Sequence, residues 1–540
     1  MSNARFILLS LMALATLALA AQMVIDFSTV NIGSACIVFA SSIAMLLYLL
    51  WTPALHTHPL STFALFGFCV TTQMGALLGQ TVFGTSLAQN LRQPLETFAT
   101  LAGFQVIALL AHMLYRWFLH PAPPPSPVAA PLVASPSPSL IRQLLGKLGL
   151  YEAPPTSALW LMGYVGLFAF LISGGSEGTF RKVLDGMRFL TWAPFLIPMY
   201  LIQVGPAYCR PRRQYLHLLG FGSLVILLGL AANVRSIMLS GFVTIALFAL
   251  LTALRSQKPV SGKRCLQLGV LGLVLGAVAI PMTDLATAMV VARKVRGGVS
   301  AVDMVKETLY YFQRPELLAQ QERMQRDAAT LDKYDEYYFE NPLLARLMET
   351  KFHDNSLYFV SRFSQSDTAR LAQTSVDLMW SILPNPALKA LGVDVNKRDL
   401  EFSMGDYLSH LSQGGPLGGY RTGSMLAQGL ALLGIGFAVV YFFACLGVFA
   451  LLDLLSYRQR SGQVLLSTVG MLSIWKIFQY GLTADALHAW VSLVFRELPQ
   501  QVFFFVVITT FVRCLGLVFQ GGARPDPRAT PTAHGFPLRP

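Results

Sequence analysis

The sequence predicts an all-α integral membrane protein with about 12 transmembrane helices and one large helical loop, and three observations carry that prediction. Hydrophobic residues make up 54% of the 540 and charged residues only 12%, whereas soluble domains are about one quarter charged. Apolar runs of about 20 residues, the length that crosses a hydrocarbon core of about 30 Å, recur along the chain. Between residues 293 and 423 no such run occurs.

The runs lie at 5–25, 32–52, 62–83, 97–118, 157–173, 189–206, 216–233, 236–254, 265–290, 424–454, 464–484 and 498–519. They divide the chain into a four-span part (1–119), a Pro-rich linker (120–156), spans five to nine (157–292), the large loop (293–423), spans ten to twelve (424–519) and a tail (520–540) read as disordered. Span ten exceeds the length of one crossing and reads as including an interfacial turn. Arg5 before an apolar run and Ala18-Leu19-Ala20 also fit a signal peptide. Its cleavage would leave every later span's direction unchanged. No internal repeat is visible, which weakens a transporter reading.

The linker holds Pro-Ala-Pro-Pro-Pro-Ser-Pro and Ser-Pro-Ser-Pro runs, which favour extended polyproline conformations and build no core. Within it, Leu140 to Leu150 with Arg142 and Lys147 reads as an amphipathic helix on the membrane surface.

Orientation follows from Lys and Arg, which are retained on the cytoplasmic side. With the N-terminus inside, the inner segments collect 17 positive residues against the three acids Glu152, Asp453 and Asp526. The sequence therefore places both termini in the cytoplasm and 293–423 outside, which in a bacterial inner membrane makes it a large helical periplasmic loop. The +13 net charge follows from this bias and from anionic lipid headgroups, so no nucleic-acid partner is expected. None of the six cysteines falls in the large loop, and neither a disulfide nor a Cys-based metal site is expected.

The loop carries 16 of the 40 Lys and Arg residues and 17 of the 27 acids, so it faces water with balanced charge. Apolar residues at three-and-four spacing predict helices over Val302 to Phe312, Pro315 to Glu340 and Thr368 to Leu383.

No Gly-rich phosphate loop follows a strand, no His/Cys cluster has zinc spacing and no nucleophile elbow occurs, so neither cofactor nor metal is expected. The chemistry must then use a substrate activated beforehand and presented outside, as a lipid-linked diphosphate sugar is. Outer-face cations suit such a substrate because guanidinium groups pair with phosphate oxygens and stabilise a leaving diphosphate. The candidates are Arg181, Lys182, Arg188, Arg235, Arg362, Arg421 and Lys476. The plainer reading is that such residues snorkel to lipid headgroups. Arg235 stands out because its hairpin is so tight, and Lys476 because it lies inside a predicted span. In the run Lys351 to Arg362, His353 reads as a base for a sugar hydroxyl, with Asp354 and Glu349 as substitutes. A solvated helix face is the plainer reading there. The acids and aromatics of Asp332 to Glu340 could likewise stack on and bind sugars, or form one more solvated helix face.

Several stretches together resemble a known family. The runs Val360-Ser-Arg-Phe-Ser, Ile382-Leu-Pro, Leu391-Gly, Phe402-Ser-Met-Gly-Asp and Tyr420-Arg-Thr-Gly-Ser-Met-Leu-Ala-Gln-Gly-Leu-Ala-Leu-Leu-Gly434 resemble the distal half of the large periplasmic loop in bacterial oligosaccharide repeat-unit (O-antigen, Wzy-like) polymerases. Some of these carry glycine eleven residues after an arginine; here Ala246 follows Arg235 and Leu432 follows Arg421 at that distance. The resemblance implies a membrane glycosyltransferase that polymerises undecaprenyl-diphosphate-linked oligosaccharide units for surface polysaccharide or exopolysaccharide. Arg235 and His353 would be catalytic, and Arg181, Arg188, Arg362, Arg421 and Lys476 would hold substrate. Its expected partners are membrane lipids, a chain-length regulator and export proteins. An O-antigen ligase, differing chiefly in acceptor, and a flippase or exporter of the same lipid-linked sugars are the alternatives.

Overall fold

The computed structural model describes residues 2–119, 139–173, 178–205, 208–209, 211–259, 284–289, 291–292, 301–314, 316–320, 323, 335–339, 342–459 and 463–520. The side chains of 119, 173, 178–182, 211, 235–236, 301, 342–343, 346 and 516–520 lie outside that description.

Helices α1 (Asn3–Ile25) and α2 (Thr29–Trp51) form an antiparallel pair, and each is opened by a serine whose Oγ accepts a first-turn backbone N–H. Helices α3 (Pro59–Val82) and α4 (Pro94–Phe118) each begin on proline, which has no N–H to leave unpaired there. Helix α3 is the hub of the bundle: 83% of its spanning window is buried, against 22% for α1. A π turn at Val70–Met74 interrupts it. Among these helices the buried amides satisfy one another, Gln73 donating to Gln105 at 2.5 Å and Gln105 to the Ser41 carbonyl at 3.1 Å.

After the linker come the short α5 (Leu140–Lys147) and the apolar α6 (Thr156–Ser173). Helix α7 (Gly178–Met187) runs into a 3-10 stretch, Arg188–Phe195, which packs on α6, and α8 (Leu196–Gln203) follows. Helices α9 (Pro211–Ala231) and α10 (Arg235–Leu254) form a hairpin whose turn has Asn233 at φ 51°.

The loop contributes α11 (Ala301–Phe312), α12 (Thr350–Val360), α13 (Gln365–Ser381) and α14 (Met404–Gln413). Helix α13 starts in a capping box between Ser364 and Asp367. Helix α15 (Met425–Asp453) bends through a 3-10 turn at Gly434–Gly436, where Gly434 has φ 54°. A small antiparallel hairpin, β1 (Ser456–Arg458) and β2 (Val464–Leu466), leads to α16 (Thr468–Leu472), α17 (Ile474–Tyr480) and α18 (Leu487–Leu515). Helix α17 lies against α3 so closely that a Cβ at Gly67 would stand 1.9 Å from the Phe478 carbonyl oxygen. Only glycine permits that approach.

The protein is thus a helical, multi-pass membrane protein. Among the described residues eight helices are long and apolar enough to cross a membrane: α1 to α4, α9, α10, α15 and α18. Of the other four expected crossings, 157–173 is the shorter apolar helix α6. The run 189–206 is divided, because Pro194 falls inside it and cannot complete a helical ladder. The run 464–484 is a strand followed by two short helices. The run 265–290 falls mostly outside the described residues, as do 120–138, the start of the loop and most of the expected helix from Pro315 to Glu340.

Candidate functional site

A cavity of about 560 Å³ opens between α6, the α7 to 3-10 junction, the α9–α10 hairpin, α17 and α18. Arg188 and Lys476 enter it from segments far apart in the chain, and Arg496 joins them from a π turn, Leu493–Glu497, inside α18. Such turns are frequent at functional positions. Each expected cation has an acidic partner at the cavity wall. Arg188 Nη2 is 2.9 Å from Asp185 Oδ1 and its guanidinium sits 5.2 Å from the Phe170 ring centroid. Lys476 pairs with Glu497. Both pairs are well exposed, and exposed pairs of this kind contribute only about 0–1 kcal/mol. An anion entering the cavity can therefore displace the acids from the cations at little cost.

A second compartment of about 360 Å³ adjoins the first, sharing Phe189, Trp192, Ile237, Lys476 and Gln501 with it. Its other walls are largely apolar, including Leu239, Leu347, Leu472 and Trp475. Ser473 Oγ donates to Gln501 Oε1 at 2.6 Å and fixes the amide between the two spaces. The arrangement is amphipathic, with most of the charge in one compartment, Lys476 at the junction and largely apolar walls in the next.

The remaining expected residues divide into two groups. Arg235 is the first residue of α10, between Val234 and Ile237, which both line the larger cavity. Its side chain, like those of Arg181 and Lys182 on α7, lies outside the description. Arg362, Arg421 and His353 line neither cavity. Arg362 is exposed and donates to Tyr358 Oη at 2.9 Å. Arg421 donates to Ser409 Oγ at 3.0 Å and lies 3.7 Å from Asp406, whose carboxylate also accepts the backbone N–H groups of Tyr420 and Arg421. That carboxylate folds the chain after α14 back on itself.

His353, expected as a base for a sugar hydroxyl or as a solvated helix residue, is not solvated: it is 2% exposed, with Nδ1 2.7 Å from Ser424 Oγ at the start of α15. Burial pushes its pKa down from 6.5 to about 4. The two substitute bases are also interior. Asp354 accepts the backbone N–H groups of Arg92 and Gln93 at 2.8 and 2.9 Å and the Thr97 hydroxyl at 3.1 Å, which anchors the entry to α4. Burial raises its pKa, against Lys351 and these donors, which lower it. Glu349 donates its N–H to the Thr71 carbonyl at 2.7 Å and accepts from Thr483 Oγ1 at 3.3 Å.

Arg496, Glu497 and Asp185 were not among the expected site residues. Arg496 had a sequence signal, a cation on an outer segment against the positive-inside trend. Glu497 had none, because its pairing with Lys476 appears only in three dimensions, whereas Asp185 stands three residues before Arg188, a spacing visible in the sequence. Compared with protein-family models, curated proteins and solved structures, the chain gives no match. The fold and the cavity define the class, a helical multi-pass membrane protein with a cation-lined amphipathic cavity.

Proposed function

We propose that the protein is a membrane glycosyltransferase of the bacterial inner membrane. It polymerises undecaprenyl-diphosphate-linked oligosaccharide units at the periplasmic face. On this reading both termini are cytoplasmic, 293–423 is the periplasmic loop, and the divided segments count toward the twelve crossings. The observation that supports it best is the convergence of Arg188, Lys476 and Arg496 on one cavity beside a compartment with apolar walls. Diphosphate oxygens pair with the cations, and the first isoprene units lie against the apolar walls. The hydroxyl of one unit attacks the anomeric carbon of another, the bond to the diphosphate breaks, and the cations stabilise the charge that develops on the leaving group. Asp185 and Glu497 are the acids within the cavity available to take the hydroxyl proton. Chain-length and export proteins would act on the product.

The test is polymer synthesis in cells whose own copy is deleted. Arg188→Ala and Lys476→Ala are each expected to lower polymer formation about tenfold to hundredfold, the equivalent of about 1.5–3 kcal/mol for a charge-assisted contact made in the transition state. Arg362→Ala is expected to leave it near normal. Undiminished polymer from the Arg188→Ala/Lys476→Ala double variant, at ordinary protein levels, would remove the cavity from the mechanism.

A further inference from the structure

Buried polar groups from four helices meet where α2, α4 and α15 end and α3 begins, and the proposed transfer uses none of them. Arg116 Nη1 donates to Tyr48 Oη at 2.8 Å, Tyr48 Oη lies 2.7 Å from His112 Nδ1, His112 Nε2 lies 3.0 Å from Ser61 Oγ, and Ser61 Oγ donates to Asp453 Oδ2 at 2.6 Å. None of these side chains is more than 8% exposed. The two ends of the chain fix its direction. Arginine can only donate, so the single Tyr48 hydroxyl proton goes to Nδ1. His112 is then neutral with its proton on Nε2, which donates to Ser61, and Ser61 donates to the carboxylate. Asp453 also accepts the Ser61 backbone N–H at 3.3 Å and the Tyr115 hydroxyl at 3.1 Å. The other charged and titratable groups nearby are His58, whose ring faces His112 and Tyr115; Arg142 of α5, which donates to the Asp453 carbonyl at 3.1 Å; and Tyr151, which donates to the Leu454 carbonyl at 2.9 Å.

A second, equally satisfied arrangement exists in the same geometry. The Ser61 hydroxyl has another acceptor within reach, the His58 carbonyl oxygen at 3.3 Å. If the carboxylate takes up a proton, its new O–H donates to Ser61 Oγ, which still accepts from His112 Nε2 and turns its own proton to His58. Only a hydroxyl rotates, and no buried donor is left without an acceptor. A carboxyl buried this completely is costly to keep unless its environment can satisfy it in each charge state. We infer that Asp453 is a reversible proton-binding site. Its two charge states are relayed through Ser61 and His112, and they set the charge at the seam joining α15 to α3 and α4.

Infrared difference spectra of the purified protein between neutral and acidic pH test this directly, because a protonated carboxylic acid has its own carbonyl stretch. The other carboxyls contribute alike to both proteins, and on acidification the wild type is expected to gain a further band that Asp453→Asn lacks. Tyr115→Phe, which removes one donor to the carboxylate and so disfavours its charged form, is expected to move the midpoint to higher pH. The same further band in Asp453→Asn, or none in the wild type, would overturn the inference. If Asp453→Asn does not accumulate, an unmoved midpoint in both Tyr115→Phe and Ser61→Ala would overturn it alone.

Discussion

Replacing Asp354 by alanine is expected to destabilise the protein by about 3–5 kcal/mol, the cost typical of breaking a buried ion pair from one side. The carboxylate is fully buried and joins three parts of the chain. It takes two backbone N–H groups at the entry to α4, the hydroxyl of Thr97 and the charge of Lys351 Nζ at 3.9 Å. Lys351 is itself buried, 3.2 Å from Asp335, with Asn90's carbonyl as a further acceptor. Without Asp354 the two backbone donors lose their acceptor inside the protein and Lys351 loses one of its two acids. Thermal unfolding in detergent should show a much lower midpoint for Asp354→Ala and a smaller loss for Asp354→Asn, which keeps an acceptor oxygen. A midpoint for Asp354→Ala near that of the wild type would mean that water reaches this cluster and that the polar face of α12 is not buried as described.

His353 is expected to make the fold sensitive to acid. In the unfolded chain the imidazole takes a proton near its ordinary pKa of 6.5, whereas in the folded protein it resists until about 4. Between these values the unfolded state binds more protons, so stability falls as pH drops through that window and levels off below it. At about 1.36 kcal/mol per pH unit the loss approaches about 3 kcal/mol. Unfolding midpoints measured from pH 7 to pH 4 should fall for the wild type and fall less for His353→Gln. Parallel curves would show that His353 is not the group responsible. By the same shift, no acidic limb of activity near pH 6.5 should come from this residue.

The four N-terminal helices were legible from hydropathy, their observed ends lying within about three residues of the apolar runs. Apolar content marks a span, but it does not register where the ladder breaks. Pro194 carried a visible warning inside the sixth run, and the glycines at 434 and 436 lay in a run already read as too long. The division of 464–484 had weaker signs, a serine cap at Ser467 and a second serine at Ser473. In the loop, the helices at 301–312 and 365–381 followed their periodicity closely.

The environment of α12 was not legible at all. Its run Thr350-Lys-Phe-His-Asp-Asn-Ser356 reads as a solvated face, yet every one of these residues is buried. The reason is that most of these residues meet a partner from another segment: Thr350 the Thr72 carbonyl, Lys351 Asp335, His353 Ser424, and Asn355 the Asp335 carbonyl. Polarity in a sequence shows that a group needs partners, without showing whether water or protein supplies them. The same limit explains the site. Lys476 stood out because it lay inside a predicted span, but nothing local separated Arg188 from Arg362 and Arg421, which line neither cavity.

The most direct measurement is made on the purified protein reconstituted in lipid vesicles and given undecaprenyl-diphosphate-linked oligosaccharide units. The account predicts lipid-linked products of two or more units, one undecaprenyl diphosphate released for each bond formed, and loss of both in the Arg188→Ala/Lys476→Ala double variant. Intact substrate after incubation with the wild type, or the same products from the double variant, would contradict it.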